Sequence, residues 1–434
     1  MALTGRAVLL VLLGLIPAVI APNALTVRLW IVACVALIGI DVFWAPRPQR
    51  VRLERTPTPP LRRGQTGQST LLLTNETGRR LRGTLRDAWQ PSSGASGERH
   101  RLDVARGSSV ELTTTLRPTR RGDRLTDLVT MRLTGPLGLA ARQASLACPG
   151  AVRVLPEFAS QQHLPRFLAQ LRELDGRSAV RTRGQGTEFD SLRDYVPGDD
   201  VRSIDWRATA RRTAVVVRTW QPERDRHIVI VLDTSRTSAG RIADVPRLDA
   251  AMDAALLLTA LATRAGDRVD LLAGDRELRA EVSGARSSDR LHHSIEAMAT
   301  LEPALVEANW SRLFAAVAER SRGRALVVLL TPIEPASVSE SLLPALSVLA
   351  RRHQIIVASV QDPGLQAMTE LAETAPVQPA DVYDAAAATQ ARNARTRTAE
   401  VLAKLGVHVV DSPPQQLPLD LCEHYLALKA RGAL

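Results

Sequence analysis

Two long apolar runs open the chain, over residues 7–21 and 25–44, with a break at Pro22-Asn23 between them. The second run has about 20 residues, the length at which a helix crosses a bilayer core of about 30 Å. The first run is shorter and contains Pro17, a residue type that membrane helices tolerate. The pattern predicts a two-helix transmembrane hairpin over residues 1–46. The alternative is a secretory signal followed by a single span.

Basic residues are distributed unevenly around these runs. Near the connection between the runs the only basic residue is Arg28, at the start of the second run, whereas six arginines follow that run: Arg47, Arg50, Arg52, Arg55, Arg62 and Arg63. Because positively charged flanks stay on the cytoplasmic side, we expect a plasma-membrane protein whose termini and soluble remainder face the cytoplasm. Asp41, near the inner end of the second run, is expected at the membrane interface rather than in a proton path.

The next hundred residues alternate between apolar and polar positions. The alternation is clear from Val110 to Leu116 and again from Val129 to Leu133. A period of two is typical of strands with one buried and one solvated face, and Gly- and Asn-rich turns separate the runs. Six or seven short strands over residues 51–155 therefore predict a small β-sandwich, which we interpret as a spacer or docking module.

From residue 227 onwards, short continuous apolar runs alternate with helical patterns. Strands are predicted over 227–232, 269–272, 280–282, 325–330, 355–360 and 407–410, and helices over 248–264, 337–352, 385–405 and 417–430. Alternating strands and helices of this kind predict a parallel sheet covered on both faces. The chain is thus expected to be multidomain, with a doubly wound, Rossmann-like α/β domain over 227–434. A linker helix and a charged segment are expected over 156–226.

The net charge of +11 does not indicate nucleic-acid binding. Only two of the 56 basic residues are lysines, Lys404 and Lys429, and the arginines are spread along the whole chain. Nucleic-acid binders usually concentrate lysine and arginine on one face, whereas an arginine-for-lysine bias is typical of a GC-rich genome. We therefore expect no nucleic-acid partner.

Several enzyme classes are excluded by motif. Neither lysine follows a glycine, so the chain has no P-loop, and it contains neither HExxH nor GxSxG. Cys34, Cys148 and Cys422 are far apart and form no CxxC pair, which excludes a disulfide scaffold or a zinc ribbon. The pair His292-His293 has no further ligand at metal-binding spacing. No catalytic residue and no nucleotide cofactor are predicted.

One oxygen-rich loop follows the first strand of the α/β domain. The sequence Asp233-Thr234-Ser235-Arg236-Thr237 places a carboxylate and hydroxyls at the carboxyl end of a strand, where open α/β sheets bind ligands. Oxygen ligands of this kind suit Mg²⁺. The loop resembles the metal-ion-dependent adhesion site of von Willebrand factor A-type domains, and the resemblance implies Asp233, Ser235 and Thr237 as metal ligands.

The rest of that site is degenerate. The family has an Asp after the fourth strand, where this chain has Pro332, and a Thr in a second loop, where Asn309 and Ser311 are the nearest polar residues. Glu334 is a possible substitute for the missing carboxylate. The alternative to a Mg²⁺ site is a loop whose polar side chains cap the following helix.

A sharper signal lies just before this domain, over residues 186–211. The segment contains the following residues, which we take as signature and interaction residues: Glu188, Arg193, Tyr195, Pro197, Gly198, Asp199, Asp200, Arg202, Asp205, Trp206 and Arg211. It resembles the signature of the bacterial "domain of unknown function 58" family, whose members place it between a membrane hairpin with a β-rich region and an A-type domain. The C-terminal stretches 406–409 and 425–428 are also similar.

The resemblance implies a partner and a role. Family members are associated with MoxR-type AAA+ ATPases in the assembly, maturation or quality control of other proteins; no motif identifies the client. We therefore expect a membrane-anchored, non-enzymatic interaction or adaptor protein that works beside such an ATPase, in complex assembly or in cell-envelope processes. The alternatives are a hydrolase or peptidase-associated cell-envelope factor and an extracellular metal-dependent adhesion protein.

The physical role of the signature segment has three interpretations. Its arginines and carboxylates can form a paired network, since arginine forks onto carboxylates, and that network would pin the sandwich to the α/β sheet. Alternatively the segment is a docking surface for a partner or ligand. The third interpretation, in which Glu188, Asp190 and Asp205 are catalytic acids, lacks an accompanying nucleophile or metal set.

Overall fold

A computed structural model describes residues 2–181, 188–211, 214–221, 226–242, 245–284, 289–321, 323–374 and 378–432. The chain divides into two compact units, Met1–Leu155 and Pro156–Leu434. The first unit holds the apolar helices and a β-sandwich. The second holds the signature segment and an α/β domain.

Three helices precede the sandwich: α1 (Gly5–Leu13), α2 (Leu15–Ile20) and α3 (Ala24–Trp44). Asn23 caps α3, because its Oδ1 accepts the Thr26 N–H at 2.8 Å. The stretch Ala24–Arg50 is long and apolar enough to cross a membrane, and α1 with α2 forms a shorter apolar segment. A Cβ atom on Gly14 would lie 2.3 Å from the Trp30 ring, so glycine is required where the two segments pack together.

Strands β1 to β9 make up two sheets of the first unit. They are β1 (Ala2–Leu3), β2 (Val51–Arg55), β3 (Leu61–Arg62), β4 (Gly67–Asn75), β5 (Leu81–Trp89), β6 (Arg99–Val104), β7 (Ser109–Leu116), β8 (Gly122–Thr134) and β9 (Ala140–Leu155). One sheet has the order β1-β9-β8-β5-β6, with β3 also paired to β9, and the other has the order β2-β4-β7. Leu71 and Leu73 of one sheet pack against Val129, Met131 and Leu133 of the other, as the alternation predicted.

The end of α3 is bonded directly to the turn between β8 and β9. The Asp41 carboxylate is fully buried and accepts the backbone N–H groups of Leu137, Leu139 and Ala140 at 2.7, 2.7 and 2.8 Å. A Cβ atom on Gly135 would lie 2.3 Å from Asp41, so the turn requires glycine there. Asp41 therefore fixes α3 to the sandwich, and its position at the membrane interface stays a prediction.

Other contacts hold both ends of the apolar segment at the same place. Arg142 donates to the Val42 carbonyl at 3.0 Å and Arg79 to the Trp44 carbonyl at 2.6 Å, so the last turn of α3 has partners for its free carbonyls. At the other end, β1 pairs with the start of β9, with Leu3 opposite Ala140. The start of α1 and the end of α3 therefore meet one turn of the sandwich.

The second unit begins with α4 (Leu164–Arg181) and the signature segment. That segment contains β10 (Glu188–Asp194), a 3₁₀ turn (Val201–Ser203), α5 (Trp206–Thr209) and β11 (Val216–Gln221). The two strands pair antiparallel as a two-stranded sheet of their own. The long connection between them, residues 195–215, carries the turn and the short helix; we call it the hairpin tip.

The α/β domain contains the remaining elements. Its strands are β12 (His227–Asp233), β13 (Arg241–Ile242), β14 (Val245–Pro246), β15 (Arg268–Gly274), β16 (Leu278–Val282), β17 (Leu326–Leu330), β18 (Gln354–Val360) and β19 (His408–Ser412). Its helices are α6 (Arg247–Arg264), α7 (Arg290–Ala299), α8 (Trp310–Arg320), α9 (Pro335–Ser337), a π-helical turn (Val338–Leu342), α10 (Leu343–Leu349), α11 (Pro363–Thr374), α12 (Pro379–Lys404) and α13 (Leu417–Ala430).

The main sheet is doubly wound, in the order β16-β15-β12-β17-β18-β19. Five strands are parallel, but β16 runs antiparallel to β15, which corrects the all-parallel expectation. Only three residues connect β15 to β16, too few for the crossover that a parallel pair needs. The core on one face of the sheet includes Val229, Val327 and Val357 with Leu313 of α8 and Leu346 of α10. The sequence pattern placed His292 and His293 on a helical stretch, which is α7, but it predicted neither α8 nor α11.

Candidate functional site

The oxygen-rich loop lies where the order of the sheet reverses. Strands β12 and β17 are parallel neighbours, with Leu232 opposite Leu330, and their chains then turn away to opposite sides. Asp233 ends β12 and Thr331 directly follows β17, so the two residues lie side by side at the carboxyl edge. Ligands of open α/β sheets bind in the crevice at this switch point.

Hydrogen bonds within the protein engage both oxygens of the Asp233 carboxylate. Its Oδ2 accepts the Thr331 hydroxyl at 2.7 Å and the Thr237 hydroxyl at 3.1 Å, and its Oδ1 accepts the Ser235 N–H at 2.8 Å. The Ser235 hydroxyl lies 3.1 Å from that of Thr237. Burial raises the pKa of Asp233 above its usual range, although these hydrogen bonds oppose the shift.

The structure brings Asp233, Ser235 and Thr237 together but places the other candidates elsewhere. Glu334 pairs with Arg247 at 2.8 Å and lies 3.7 Å from Arg395. Asn309 caps α8 by accepting the Arg312 N–H at 3.1 Å, and Ser311 is exposed on that helix. A further polar partner of Asp233 is Thr331, which directly precedes Pro332. No motif in the sequence marks it, because the contact depends on the pairing of β12 with β17.

The site therefore fits Mg²⁺ only in part. It offers three hydroxyls but one carboxylate, and Mg²⁺ needs anionic oxygens to offset its dehydration. In the part of the chain that the structure describes, no three His, Cys, Asp or Glu side chains are grouped so as to hold a metal ion. A second carboxylate would have to come from a binding partner.

The carboxylates of the signature segment serve local structure. Asp205 caps α5 through the N–H groups of Arg207 and Ala208, at 3.0 and 2.9 Å, and pairs with Arg218 at 2.8 Å. These bonds hold the pKa of Asp205 below its usual range, and the hydrogen bond from the Ala208 N–H has the largest effect. The Asp205 carboxylate is thus held by one guanidinium group and a helix cap, rather than by a buried network of several.

Two further aspartates shape the hairpin tip in the same way. Asp199 pairs with Arg193 at 2.5 Å and accepts the Val196 N–H at 3.0 Å. Asp200 caps the 3₁₀ turn by accepting the Arg202 N–H at 2.9 Å. Gly198 has a φ of 111°, a conformation that favours glycine, and follows Pro197 in the turn. The side chains of Glu188 and Asp190 lie outside the described part of the chain.

Apolar and arginine side chains cover the outside of the hairpin tip. Trp206 is 68% exposed and Val201 is 64% exposed, and Val196 is also exposed. Arg202, Arg207 and Arg211 are exposed as well, whereas Tyr195 is half-buried and its N–H bonds to Val215 at 2.8 Å. Exposed aromatic and arginine side chains are the residue types enriched in the energetic centres of protein interfaces.

These features define a class of protein. An open α/β domain with the strand order β16-β15-β12-β17-β18-β19, and with a carboxylate-and-hydroxyl loop at its switch point, resembles domains of the von Willebrand factor A type. In this chain a β-sandwich unit with an N-terminal apolar helix precedes it.

The chain belongs to the family described as "Protein of unknown function DUF58", which matches residues 191–411. Uncharacterized proteins from Mycobacterium tuberculosis and Mycobacterium bovis are 30% identical to it over 186 residues, 42% of this chain. The chain spans little more than half, 56%, of the length of these curated relatives.

Two solved structures are similar to part of the chain. One is the conserved hypothetical protein BatB from Bacteroides thetaiotaomicron, with 13% identity and a TM-score of 0.31 over 46% of this chain and 98% of that one. The other is the SpRpn10 VWA domain, with 15% identity and a TM-score of 0.28 over 46% of this chain and 94% of that one.

Proposed function

We propose that the chain is a non-enzymatic interaction protein, anchored in the plasma membrane and facing the cytoplasm, that works with a MoxR-type AAA+ ATPase on other proteins. The observation that carries the proposal is the hairpin tip. Its aspartates are engaged in caps and local pairs, while Trp206, Val201 and three arginines face outwards. An element whose polar groups fix its shape and whose apolar groups are exposed suits docking rather than acid–base chemistry.

The proposed anchor is a two-helix hairpin. It is supported by the contacts at the base of the apolar segment, where Leu3 and Asp41 meet the same turn of the sandwich. With both ends at one place, a hairpin path fits a segment that leaves the sandwich and returns. The arginines that follow Trp44 support the cytoplasmic orientation.

The proposal includes a contact at the carboxyl edge of the sheet. The loop of Asp233, Ser235 and Thr237 would receive a carboxylate from the partner, with Mg²⁺ between the two proteins when it is bound. Such a site holds Mg²⁺ only at millimolar affinity or weaker in the isolated chain, since it supplies one carboxylate. The second carboxylate would come from the partner.

The test is capture of the ATPase from detergent-solubilised membranes, with and without ATP. Wild-type chain is expected to capture a MoxR-type AAA+ ATPase, and Trp206→Ala to lose most of it, since a hot-spot tryptophan costs about 2 kcal/mol or more. Tyr383→Ala is the matched control, because Tyr383 is 78% exposed on α12, outside the tip. Equal capture by all three proteins would refute the tip as the docking surface, and no ATPase in any of them would refute the partnership.

A further inference from the structure

A long groove crosses the face of the α/β domain between α8 and α10. Its volume is about 790 Å³, within the range of about 300–1,000 Å³ of ligand-binding pockets. Both helices run from the carboxyl edge of the sheet to its amino edge, so the groove follows their length. The 11-residue helix α8 corresponds to about 16 Å. The hairpin tip and the switch-point loop do not line this groove.

The floor and sides of the groove are apolar along its middle. Trp310, Phe314 and Leu349 are buried beneath it, and small or aliphatic side chains line its walls: Ala315, Ala318, Pro344, Ala345 and Val348. Val348 is 74% exposed, so an apolar side chain of the wall faces solvent. Ser341 also lines the groove, but its hydroxyl donates to the Ser337 carbonyl at 2.8 Å. The middle of the groove thus offers an elongated ligand almost only hydrocarbon contacts.

The two ends of the groove differ in charge. Glu307 and Glu340 lie at the end near the carboxyl edge of the sheet, with Arg276 beside them. Arg352 and His353 lie at the other end, and Arg352 is exposed, with no carboxylate partner among the described residues. Glu307 is ion-paired with Arg236 and Arg276 lies nearby, so that end is close to neutral. The unpaired Arg352 therefore favours an anionic group at the other end.

His353 provides an independent sign of a ligand at that end. Its side chain is only 5% exposed, and its Nδ1 has no hydrogen-bond partner among the described residues. A buried polar atom without a partner costs about 1–3 kcal/mol in general. His353 lines the groove, so a rotation of its ring would let the polar head of a ligand supply the missing bond.

We propose that this groove binds a long-chain fatty acid, with the carboxylate at Arg352 and His353 and the acyl chain between α8 and α10. A peptide is disfavoured because its backbone N–H and C=O groups would lose water and find almost no partners along the apolar walls. An acyl chain has no such groups. Membrane insertion of α3, which is part of the proposed function, would give the protein access to a source of acyl chains.

The test is photocrosslinking of the full chain reconstituted in nanodiscs. The probe is a long-chain fatty acid with a diazirine on its terminal carbon, and the crosslinked positions are mapped by mass spectrometry. Adducts are expected near Trp310 and Pro344, at the end away from Arg352. A probe with the diazirine next to the carboxyl group should instead label residues near Val348. Mapping separates groove adducts from those on the apolar helices in the bilayer.

Paired variants test the two features of the groove. Ala318→Phe should fill it and lower groove labelling by about tenfold, whereas Ala387→Phe, at an exposed alanine of α12, should not change it. Arg352→Glu should lower it about fivefold or more, by removing the ion pair and adding repulsion, with the exposed neighbour Arg351→Glu as control. Melting temperatures of the variants check that each remains folded.

Competition decides the chemistry of the ligand. Unlabelled fatty acid should compete for the groove, and its methyl ester should compete less well because it lacks the charge. The proposal is overturned if no adduct lies on α8 or α10, if Ala318→Phe labels as well as wild type, or if an apolar peptide with a free C-terminal carboxylate competes better than the fatty acid. None of these results bears on capture of an ATPase by the hairpin tip.

Discussion

Asp41 and Asp233 are buried carboxylates that are held by hydrogen bonds rather than by a cation among the described residues. Asp41 accepts three backbone N–H groups of one turn, and Asp233 accepts one N–H group and two hydroxyls. All three donors to Asp41 come from positions far away in the sequence, and Thr331 is the distant donor to Asp233. Each aspartate therefore ties together segments that the chain order keeps apart.

At Asp41 we predict a large loss of stability on truncation. Asp41→Ala leaves buried N–H groups of the turn without an acceptor, which should cost about 3 kcal/mol or more in the free energy of unfolding. Asp41→Asn keeps one acceptor oxygen and should lose less. The measurement is thermal unfolding of the full chain in nanodiscs, with the exposed Asp127→Ala as control. Equal melting temperatures for Asp41→Ala and the control would contradict the bonding described here.

At Asp233 we predict a stability that depends on pH. A carboxyl whose pKa is raised in the folded chain holds its proton more tightly there than in the unfolded chain. Its contribution therefore favours the folded state at low pH, and is lost as pH rises from the ordinary value of 3.8 through the raised one. An Asn side chain stays neutral at every pH and avoids this loss of stability. Asp233→Asn should therefore have a higher melting temperature than wild type at neutral pH.

The comparison is made across acidic to neutral pH, with the exposed Asp384→Asn as control. An Asn side chain can still accept from the Ser235 N–H and donate to a threonine hydroxyl, whereas Asp233→Ala leaves these groups unpaired and should cost about 1–3 kcal/mol. If Asp233→Asn melted below wild type at neutral pH, the carboxylate would be stabilised there by something other than these hydrogen bonds.

We also predict a weak response of this loop to Mg²⁺. In the isolated chain, millimolar Mg²⁺ should raise stability by only about 0.4 kcal/mol, the effect of a ligand at a concentration equal to its dissociation constant. The raised pKa of Asp233 weakens Mg²⁺ binding further, because the metal must compete with a proton for the carboxylate. Calorimetry measures the affinity directly, with Asp233→Ala as the blank. Micromolar binding would contradict the account of a site with one carboxylate.

Among the elements, α13 is fixed to the amino edge of the sheet by a buried polar cluster. The Tyr425 hydroxyl donates to Asp267 Oδ2 at 2.5 Å, and Lys429 Nζ donates to Asp267 Oδ1 at 2.8 Å. Asp267 immediately precedes β15, so the cluster joins the last helix to the second strand of the sheet. Burial raises the pKa of Asp267, an effect that Lys429 opposes.

We predict that Tyr425→Phe destabilises the α/β domain. The change removes a hydrogen bond to a buried carboxylate without altering the ring, so the loss should be about 1.5–3 kcal/mol. Chemical denaturation of the full chain measures it, and Tyr383→Phe, at an exposed tyrosine of α12, is the control. A loss no greater than that of the control would mean that the hydroxyl is replaceable by water. The similarity at 425–428 would then need a reason other than this contact.

At the scale of the whole molecule, we predict that the two termini share one side of the membrane. The contacts of Leu3 and Asp41 with one turn, together with the arginines after Trp44, lead to this expectation. Reporters fused at either end should be active as cytoplasmic reporters and silent as periplasmic ones. A periplasmic signal from the C-terminal fusion alone would indicate a single crossing. Periplasmic signals from both fusions would show that the orientation is the opposite of the proposed one. They would also contradict the proposed partnership with a cytoplasmic ATPase.

Local periodicity sufficed for much of this architecture. The alternation over 129–133 reports a strand with one buried face, and the continuous run over 227–232 reports a strand buried on both faces, because each pattern follows directly from which side chains leave water. The family signature over 186–211 was also readable from the sequence. The two-residue period and the apolar runs do not determine which strands are neighbours in a sheet.

Only the tertiary structure decided the partners of the polar groups. Asp233 meets Thr331 because β12 and β17 pair in parallel, and Asp41 meets Leu139 because α3 ends on the turn between β8 and β9. Glu334 is paired with Arg247 instead of completing a metal site. Burial of an apolar side chain is a property of one position and its neighbours along the chain. A hydrogen bond or ion pair needs two groups within about 3 Å, and chain segments far apart in sequence come that close only when the whole fold has formed.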